Sequence, residues 1–495
     1  MKLLGRKSSV GRDAIYLTVS RIAVSVIGLI TSMLLARFRT LEEYGTYSQI
    51  IMVTDLVSTI LMLGLPNSIN YFLAKSETES EKQRFMSIYV TLSTILTAII
   101  ALSLLGAMPM IIRYFNNPAI TAFAYVFAIY PWSSLMINSL GNTCVVYGKA
   151  NRLILFNVVY AVSSLLILLF TKAVRMSFQQ YMMLYMGAMM LFALFALGWI
   201  RKLVGVIRPL LSQTIIKEVL VFSIPMGLAS VVGTLNAELD KLVIGKFFTT
   251  QEYAIFANAA KELPVTILAT SLTTVLMPRF VRLLGRGKNE KAVEMWGCAA
   301  NLSFCFMTLV VGGFIVFAPD IMSLFYSEKY VTSGGVMVFR IYAFILMFRA
   351  IYWGIILNAT GQTRFVFYSS VITLALNFVG NIISCYTIGF VGPAVSSLLV
   401  TAIMALIQLG FSCRIIHIQF NKILPWRTIS GYVAETAVLA CIFSIVRYGV
   451  IDGVDRSVSI VISIILGTVW AILYVWINRK DLVTNWRKLN SITCE

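Results

Sequence analysis

Hydrophobic residues run through this chain in long unbroken stretches, and polar residues gather in short gaps between them. The stretches reach or exceed about 20 residues, the length at which a helix crosses the hydrocarbon of a bilayer. The pattern predicts fourteen spans, near residues 14–36, 44–73, 84–107, 118–147, 152–172, 178–200, 217–245, 252–280, 291–317, 334–359, 365–386, 389–413, 430–450 and 457–478. The longer ones are expected to tilt or to project from the bilayer. The longest polar gaps, around 200–217, 282–292 and 414–429, leave no room for a separate water-soluble domain. The first stretch is too long for a signal-peptide core and lacks a small-x-small cleavage site, so it reads as a retained span. The predicted fold class is all-α, a polytopic membrane protein.

One short phrase occurs twice. Residues 37–48 read RFRTLEEYGTYS and residues 246–257 read KFFTTQEYAIFA, an offset of 209. Each lies between two apolar stretches. A second pair, YGKANR at 147–152 and TGQTR at 360–364, has an offset of 212 to 213. Two matched anchors at nearly one offset predict an internal repeat of six spans. An even span number leaves both copies in the same orientation, related by a pseudo-two-fold axis along the membrane normal. The predicted organisation is an N-terminal lobe, 1–212 (spans 1–6), a C-terminal lobe, 213–418 (spans 7–12), and two additional helices with a tail, 419–495.

Composition fits a membrane body: 59% of residues are hydrophobic and 12% charged, against about 25% charged in soluble domains. The net charge of +19 does not point to nucleic acid, because the bases lie in loops between spans. With the N-terminus inside, inner segments hold 26 Lys and Arg, outer loops nine, and spans five. That asymmetry predicts both termini in the cytoplasm. Seven scattered cysteines form no CxxC pair, and His417 is the only histidine, so no disulfide framework, metal site or cofactor is expected. A GxxxxGK[ST] phosphate loop is absent, which argues against ATP hydrolysis by this chain.

The arginine in span 1, the segment LLARFRTLEEYGTYS, and GLPNSINYFLAK at the end of span 2 together resemble bacterial polysaccharide (O-antigen type) flippases. AELDKLVIGKF and TTQEYAIFANAAKEL in spans 7 and 8 resemble the second lobe of that family. The resemblance implies the fold of the multidrug/oligosaccharidyl-lipid/polysaccharide exporter superfamily, in the bacterial inner membrane. It also implies a substrate, undecaprenyl-diphosphate-linked oligosaccharide, flipped from the inner to the outer leaflet without enzymatic chemistry. The polysaccharide polymerase machinery becomes a candidate partner. The quoted motifs carry no information on which glycan is moved or on its pathway.

Ionisable residues inside spans are costly, at least ~2.5–3.5 kcal/mol each on insertion scales, so each needs a reason. The bases are Arg21, Lys241, Lys261, Arg340 and Arg349; the acids are Asp55, Glu238, Asp240, Glu262 and Glu435. A cavity with Arg21, Arg349, Lys261 and Arg340 facing inward would supply counter-charge to a diphosphate, whose unscreened crossing would cost tens of kcal/mol on an idealised estimate. Arg21 and Arg340 have the alternative of snorkelling to a membrane surface. Asp55, Glu238, Asp240 and Lys241 are candidates for gating or ion coupling. Asp55 has Arg21 as a possible partner, and Lys261 has Asp240 or Glu238. Glu435 is expected to reach the interface. Tyr130, Trp132 and Asn138 in span 4, and Tyr352, Trp353 and Asn358 in span 10, are candidate glycan contacts, with packing as the alternative. Pro66, Pro131, Pro225 and Pro264 interrupt spans and predict bends.

Two other functions compete. A cation-coupled multidrug exporter would share the architecture but want an acidic site in the N-terminal lobe, and span 1 has no carboxylate beyond Asp13 at its edge. A membrane glycosyltransferase would want a large loop, and none is present. The topology has a direct test. Cysteine placed at Asn116 should react with an impermeant thiol reagent applied to intact cells, and cysteine at Ser80 should not; labelling at Ser80 would overturn the span map.

Overall fold

The computed structural model describes residues 7–261, 264–451 and 455–491, and among these it holds helices and no strand. In chain order the helices are α1 (Lys7–Phe38), α2 (Leu41–Met62), α3 (Leu65–Lys75), α4 (Glu79–Phe115), α5 (Ala124–Val146), α6 (Ala150–Ala173), α7 (Phe178–Val204), α8 (Gln213–Phe247) and α9 (Thr250–Ala259). They continue with α10 (Ile267–Gly285), α11 (Asn289–Val316), α12 (Ala318–Tyr326), α13 (Ser333–Phe348), α14 (Ile355–Ala359), α15 (Thr363–Ile388), α16 (Gly392–Ile416), α17 (Phe420–Ile423), α18 (Trp426–Ile451) and α19 (Arg456–Ser491). Among the described residues nine helical stretches are long and apolar enough to cross a membrane, or ten if the bent pair α2–α3 counts as one span. One stretch, 363–416, contains both α15 and α16. The chain is therefore a multi-pass membrane protein.

Three of the predicted spans are broken rather than continuous. Span 2 divides into α2 and α3, bent by 46° at Leu63 and Gly64. Both residues sit in the left-handed region, Leu63 at φ 43° and Gly64 at φ 75°. The kink packs backbone to backbone against α8: a Cβ on Gly227 would strike the Leu63 carbonyl, and one on Gly64 would strike the Ser223 carbonyl. Only glycine admits that approach. Span 8 leaves the α-helix at Ala260 and Lys261, with a 3-10 turn at Pro264–Thr266, and span 10 breaks at Arg349–Gly354.

The repeated phrase has a physical role at both copies. Thr40 caps α2: its hydroxyl accepts from the Glu43 N–H at 3.1 Å, and its own N–H donates to the Glu43 carboxylate at 2.9 Å. Thr249 and Glu252 do the same at the start of α9, at 3.2 and 2.9 Å. Thr-x-x-Glu is the capping box, which satisfies orphan donors at a helix start. The two copies also touch. The Gln251 amide donates to the Glu42 carboxylate at 2.9 Å, its counterpart 209 residues earlier. Gly45 lies against the Thr250 carbonyl with no room for a Cβ.

The chain forms two compact units. One comprises Met1–Glu238 with Gly245–Ala254, the other Leu239–Ile244 with Ile255–Glu495. In the first, α1 packs on α6, and α5 packs on α3, α4 and α7. Hydroxyls buried there bond partners inside the protein, as hydrocarbon offers none. Tyr89 meets Ser139 at 2.8 Å, and Asn117 donates to Thr46 and Gln49 at 2.9 and 2.8 Å.

In the second unit α11 is the hub, with 61% of its apolar window buried against α10, α13, α18 and α19. Trp296 and Met307 lie in its core with Trp470 and Tyr474 of α19. The two additional helices are held by a buried ion pair. Asp320 of α12 accepts from Arg447 of α18 at 2.6 and 2.7 Å, and from Ser459 and Ser463 of α19 at 3.0 and 2.8 Å. Arg447 falls inside predicted span 13 but is absent from the intramembrane bases named from the sequence; it is 4% exposed. Removing one partner strands a buried charge, at about 3–5 kcal/mol. Arg447→Ala should therefore lower the thermal midpoint of the purified protein strongly, whereas the double change Arg447→Met, Asp320→Leu should recover most of it. Equal melting of wild type and Arg447→Ala would contradict this.

Candidate functional site

Helix breaks inside a membrane leave backbone groups to be satisfied locally, and they let side chains leave the helix axis where a regular turn would not. Two of the candidate bases stand at such breaks. α13 ends at Phe348, and Arg349 is its cap, at φ −99° and ψ 6°. Its N–H reaches back to the Leu346 carbonyl at 3.0 Å, a tightened last turn. The Phe348 carbonyl, which a continuing helix would have used, accepts instead from the Trp353 indole at 2.6 Å. Lys261 stands just past α9, its N–H bonded to the Asn258 carbonyl at 3.3 Å. Pro264 then opens a single 3-10 turn before α10.

Lys261 and Arg349 line the same pocket, walled by Phe314, Phe339 and Leu346. Its volume of about 20 Å³ suits one water molecule. A diphosphate does not fit there in this conformation. Tyr342 lines the pocket too, and its hydroxyl donates to Asp240.

Asp240 is 3% exposed and also accepts from Ser397 at 2.9 Å. Ser397 lies 3.3 Å from the Asn377 side-chain oxygen. The second Asp240 oxygen, Oδ1, is buried without a hydrogen-bond partner among the described residues. Asn381, fully buried on α15, has neither amide atom paired among the described residues. A polar seam thus runs from the two bases through Tyr342 to a buried carboxylate. Tyr342, Ser397 and Asn377 were not singled out from the sequence. The available signal was hydroxyls and an amide inside apolar spans 10, 11 and 12, in a unit that also holds a buried acid needing donors.

The remaining candidates lie elsewhere. Arg340 lines a different pocket, bonded to the Ile315 carbonyl and the Tyr448 hydroxyl, each at 3.0 Å. Glu238 and Lys241 are half-buried on either side of Asp240. Asp55 of α2 lies against the Tyr130 hydroxyl. Trp132 donates to Thr94 at 3.2 Å, and Asn138 is exposed. Tyr352 accepts from Asn358 at 3.0 Å, while Trp353 belongs to the core. Glu435 accepts from Asn478 at 2.8 Å. Arg21 falls within α1, but its side chain, like the whole of Glu262, lies outside the described residues.

Over residues 10–284, more than half of the chain, the sequence matches the family described as polysaccharide biosynthesis protein. It is 20% identical over 241 residues to the probable low-salt glycan biosynthesis flippase Agl15 of Haloferax volcanii, covering 48% of this chain and 50% of that one. The chain thus spans half the length of that relative. Its fold is similar to that of the lipid II flippase MurJ in an inward closed conformation, with a TM-score of 0.74 and 17% identity over 95% of this chain and 100% of that one. It is also similar to an inward-facing multidrug resistance MATE family transporter, with a TM-score of 0.63 and 15% identity over 81% of this chain and 98% of that one.

Proposed function

This chain belongs to the polysaccharide biosynthesis protein family, and from that membership we propose that it is a flippase for lipid-linked oligosaccharide, a transporter rather than an enzyme. The substrate is an undecaprenyl-diphosphate-linked glycan carried from the inner to the outer leaflet of a bacterial cytoplasmic membrane by alternating access. The observation that carries the proposal is the pairing of Lys261 and Arg349 in one pocket at two helix breaks. Two bases at one point suit a group bearing two negative charges. They would disfavour the cations that a multidrug exporter carries.

The roles divide by chemistry. Arg349 offers a planar fork that can bind two phosphate oxygens at once, and Lys261 offers a point charge. The pocket must widen before a diphosphate enters, so binding is tied to a change of conformation. Breaks at Lys261 and Arg349 are suitable hinges, because a non-helical residue absorbs backbone rotation at small cost. Arg21 is proposed as a further cavity base. Asp240, with one unpartnered oxygen beside the Tyr342 hydroxyl, is the proposed group for ion coupling or gating, ahead of Asp55, Glu238 and Lys241. Tyr130, Tyr352 and Asn358 are proposed for the glycan.

The test is complementation. In a strain lacking its flippase, Arg349→Ala should lower surface glycan by about 10–100-fold at matched membrane expression, the effect of losing one charge-assisted pair of about 1.5–3 kcal/mol. Arg349→Lys should restore part of it. Undiminished surface glycan with Arg349→Ala and Lys261→Ala, singly and together, would remove the support for this reading.

A further inference from the structure

A second cavity in the unit of Leu239–Ile244 and Ile255–Glu495 is unlike the first. It is an open groove of about 640 Å³. Met337, Arg340 and Phe344 of α13 form one wall, Ser444 and Tyr448 of α18 the other, and Leu398 of α16 adds a third side. Spacings of three and four residues put each helix's contributors on one face. The groove has one cation and no carboxylate in its lining. Among the described residues no acid lies within ion-pair distance of Arg340.

Arg340 is fixed rather than loose. Its Nε donates to the Ile315 carbonyl and one Nη2 hydrogen to the Tyr448 oxygen, both at 3.0 Å. A guanidinium has five N–H groups, so three remain for a ligand. The Tyr448 hydroxyl accepts that bond, and its own hydrogen can still be donated. Tyr448 is held in turn: the Arg447 guanidinium lies 4.8 Å from its ring centre, and Arg447 is neutralised by Asp320. Among the described residues lining the groove, Arg340 is the one charged side chain.

The position selects the type of ligand. Ile315 is the penultimate residue of α11, and Tyr448 lies within the last turn of α18. Both are at helix ends, the depth of lipid head groups in a bilayer. The flank is apolar and exposed: Ile442 is 50%, Ile445 74% and Val446 40% exposed on α18, and Leu399 59% on α16. In a multi-pass protein such a face meets hydrocarbon, so the groove opens to lipid. One guanidinium with one phenol matches one phosphate better than two, and a zwitterionic head group would lack an acidic partner here.

We propose that the groove between α13 and α18 binds a single anionic phospholipid, its phosphate held by Arg340 and the Tyr448 hydroxyl and its chain laid along Met337, Phe344 and Leu398. This site is independent of the transport pocket and takes a bilayer lipid rather than the substrate. Ser444 is a further donor to the phosphate.

The experiment uses the full-length protein purified in mild detergent and native mass spectrometry with added lipid. Wild type should retain one phosphatidylglycerol in preference to phosphatidylcholine. Arg340→Gln should weaken that retention by about tenfold or more, the loss of a charge-assisted hydrogen-bonded pair. Arg340→Lys should keep part of it, and Tyr448→Phe, which leaves the packing intact, should weaken it several-fold. Equal retention of the two lipids by wild type, or no change in Arg340→Gln and Tyr448→Phe, would overturn the proposal. So would displacement of the bound phosphatidylglycerol by an equimolar polyprenyl diphosphate, because the groove would then belong to the substrate. If Arg340→Gln fails to fold, the Lys and Phe variants carry the same comparison.

Discussion

Hydrocarbon offers no partner to a charge or to a backbone N–H, and the internal arrangement of this protein follows from that one constraint. A regular helix satisfies its own backbone, so most of the chain is helix. Where a helix stops short, at Leu63, Lys261 or Arg349, something inside the protein takes over. At Phe348 it is the Trp353 indole. At the α2–α3 kink it is close packing on Gly227. Charges obey the same rule. Asp320 is surrounded by Arg447, Ser459 and Ser463, and Asp240 by Tyr342 and Ser397. The bases Lys261 and Arg349 stand where the helices are interrupted, and a charge inside a span needs a reason.

Much of the fold was legible because the governing patterns are local. Apolar runs marked the helices; the repeated phrase was legible as a repeat and not as a helix start, and its Thr-x-x-Glu is a capping box at both copies. The family resemblance rested on such phrases and agrees with the family match over residues 10–284. The breaks were only half legible. Pro66 and Pro264 announce two of them, but the Arg349–Gly354 break contains no proline, and its apolar composition reads as continuous span. Long-range pairing was not legible at all. Arg447 reads as an interfacial base at a span end, and its partner is 127 residues away in a segment that reads as a loop. The list of intramembrane charges offered Asp240 as a partner for Lys261 and grouped Lys261 with Arg349, but Tyr342, which lines the pocket of the two bases and donates to Asp240, looks like any aromatic in an apolar run.

Separating the charges into distinct environments gives each a distinct task. The Asp320–Arg447 pair is fully bonded and ties the last two helices to α12. Arg340 is braced at the lipid-facing edge. Lys261 and Arg349 share a small pocket of about 20 Å³, room for about one water molecule. The proposed transport role would use both kinds: charges bonded into the scaffold, and charges placed where the backbone is already interrupted.

The central claim is that Lys261 and Arg349 act together on a diphosphate. A double-mutant cycle on binding tests it most directly. Dissociation constants would be measured for a polyprenyl-diphosphate glycan and for the uncharged polyprenol-linked glycan, on purified wild type, each single alanine variant and the pair. Binding of the charged lipid should be tighter than that of the neutral one, each single change should erase most of the difference, and the two losses should be non-additive. Equal affinity for both lipids in wild type, unchanged when both bases are removed, would contradict the account.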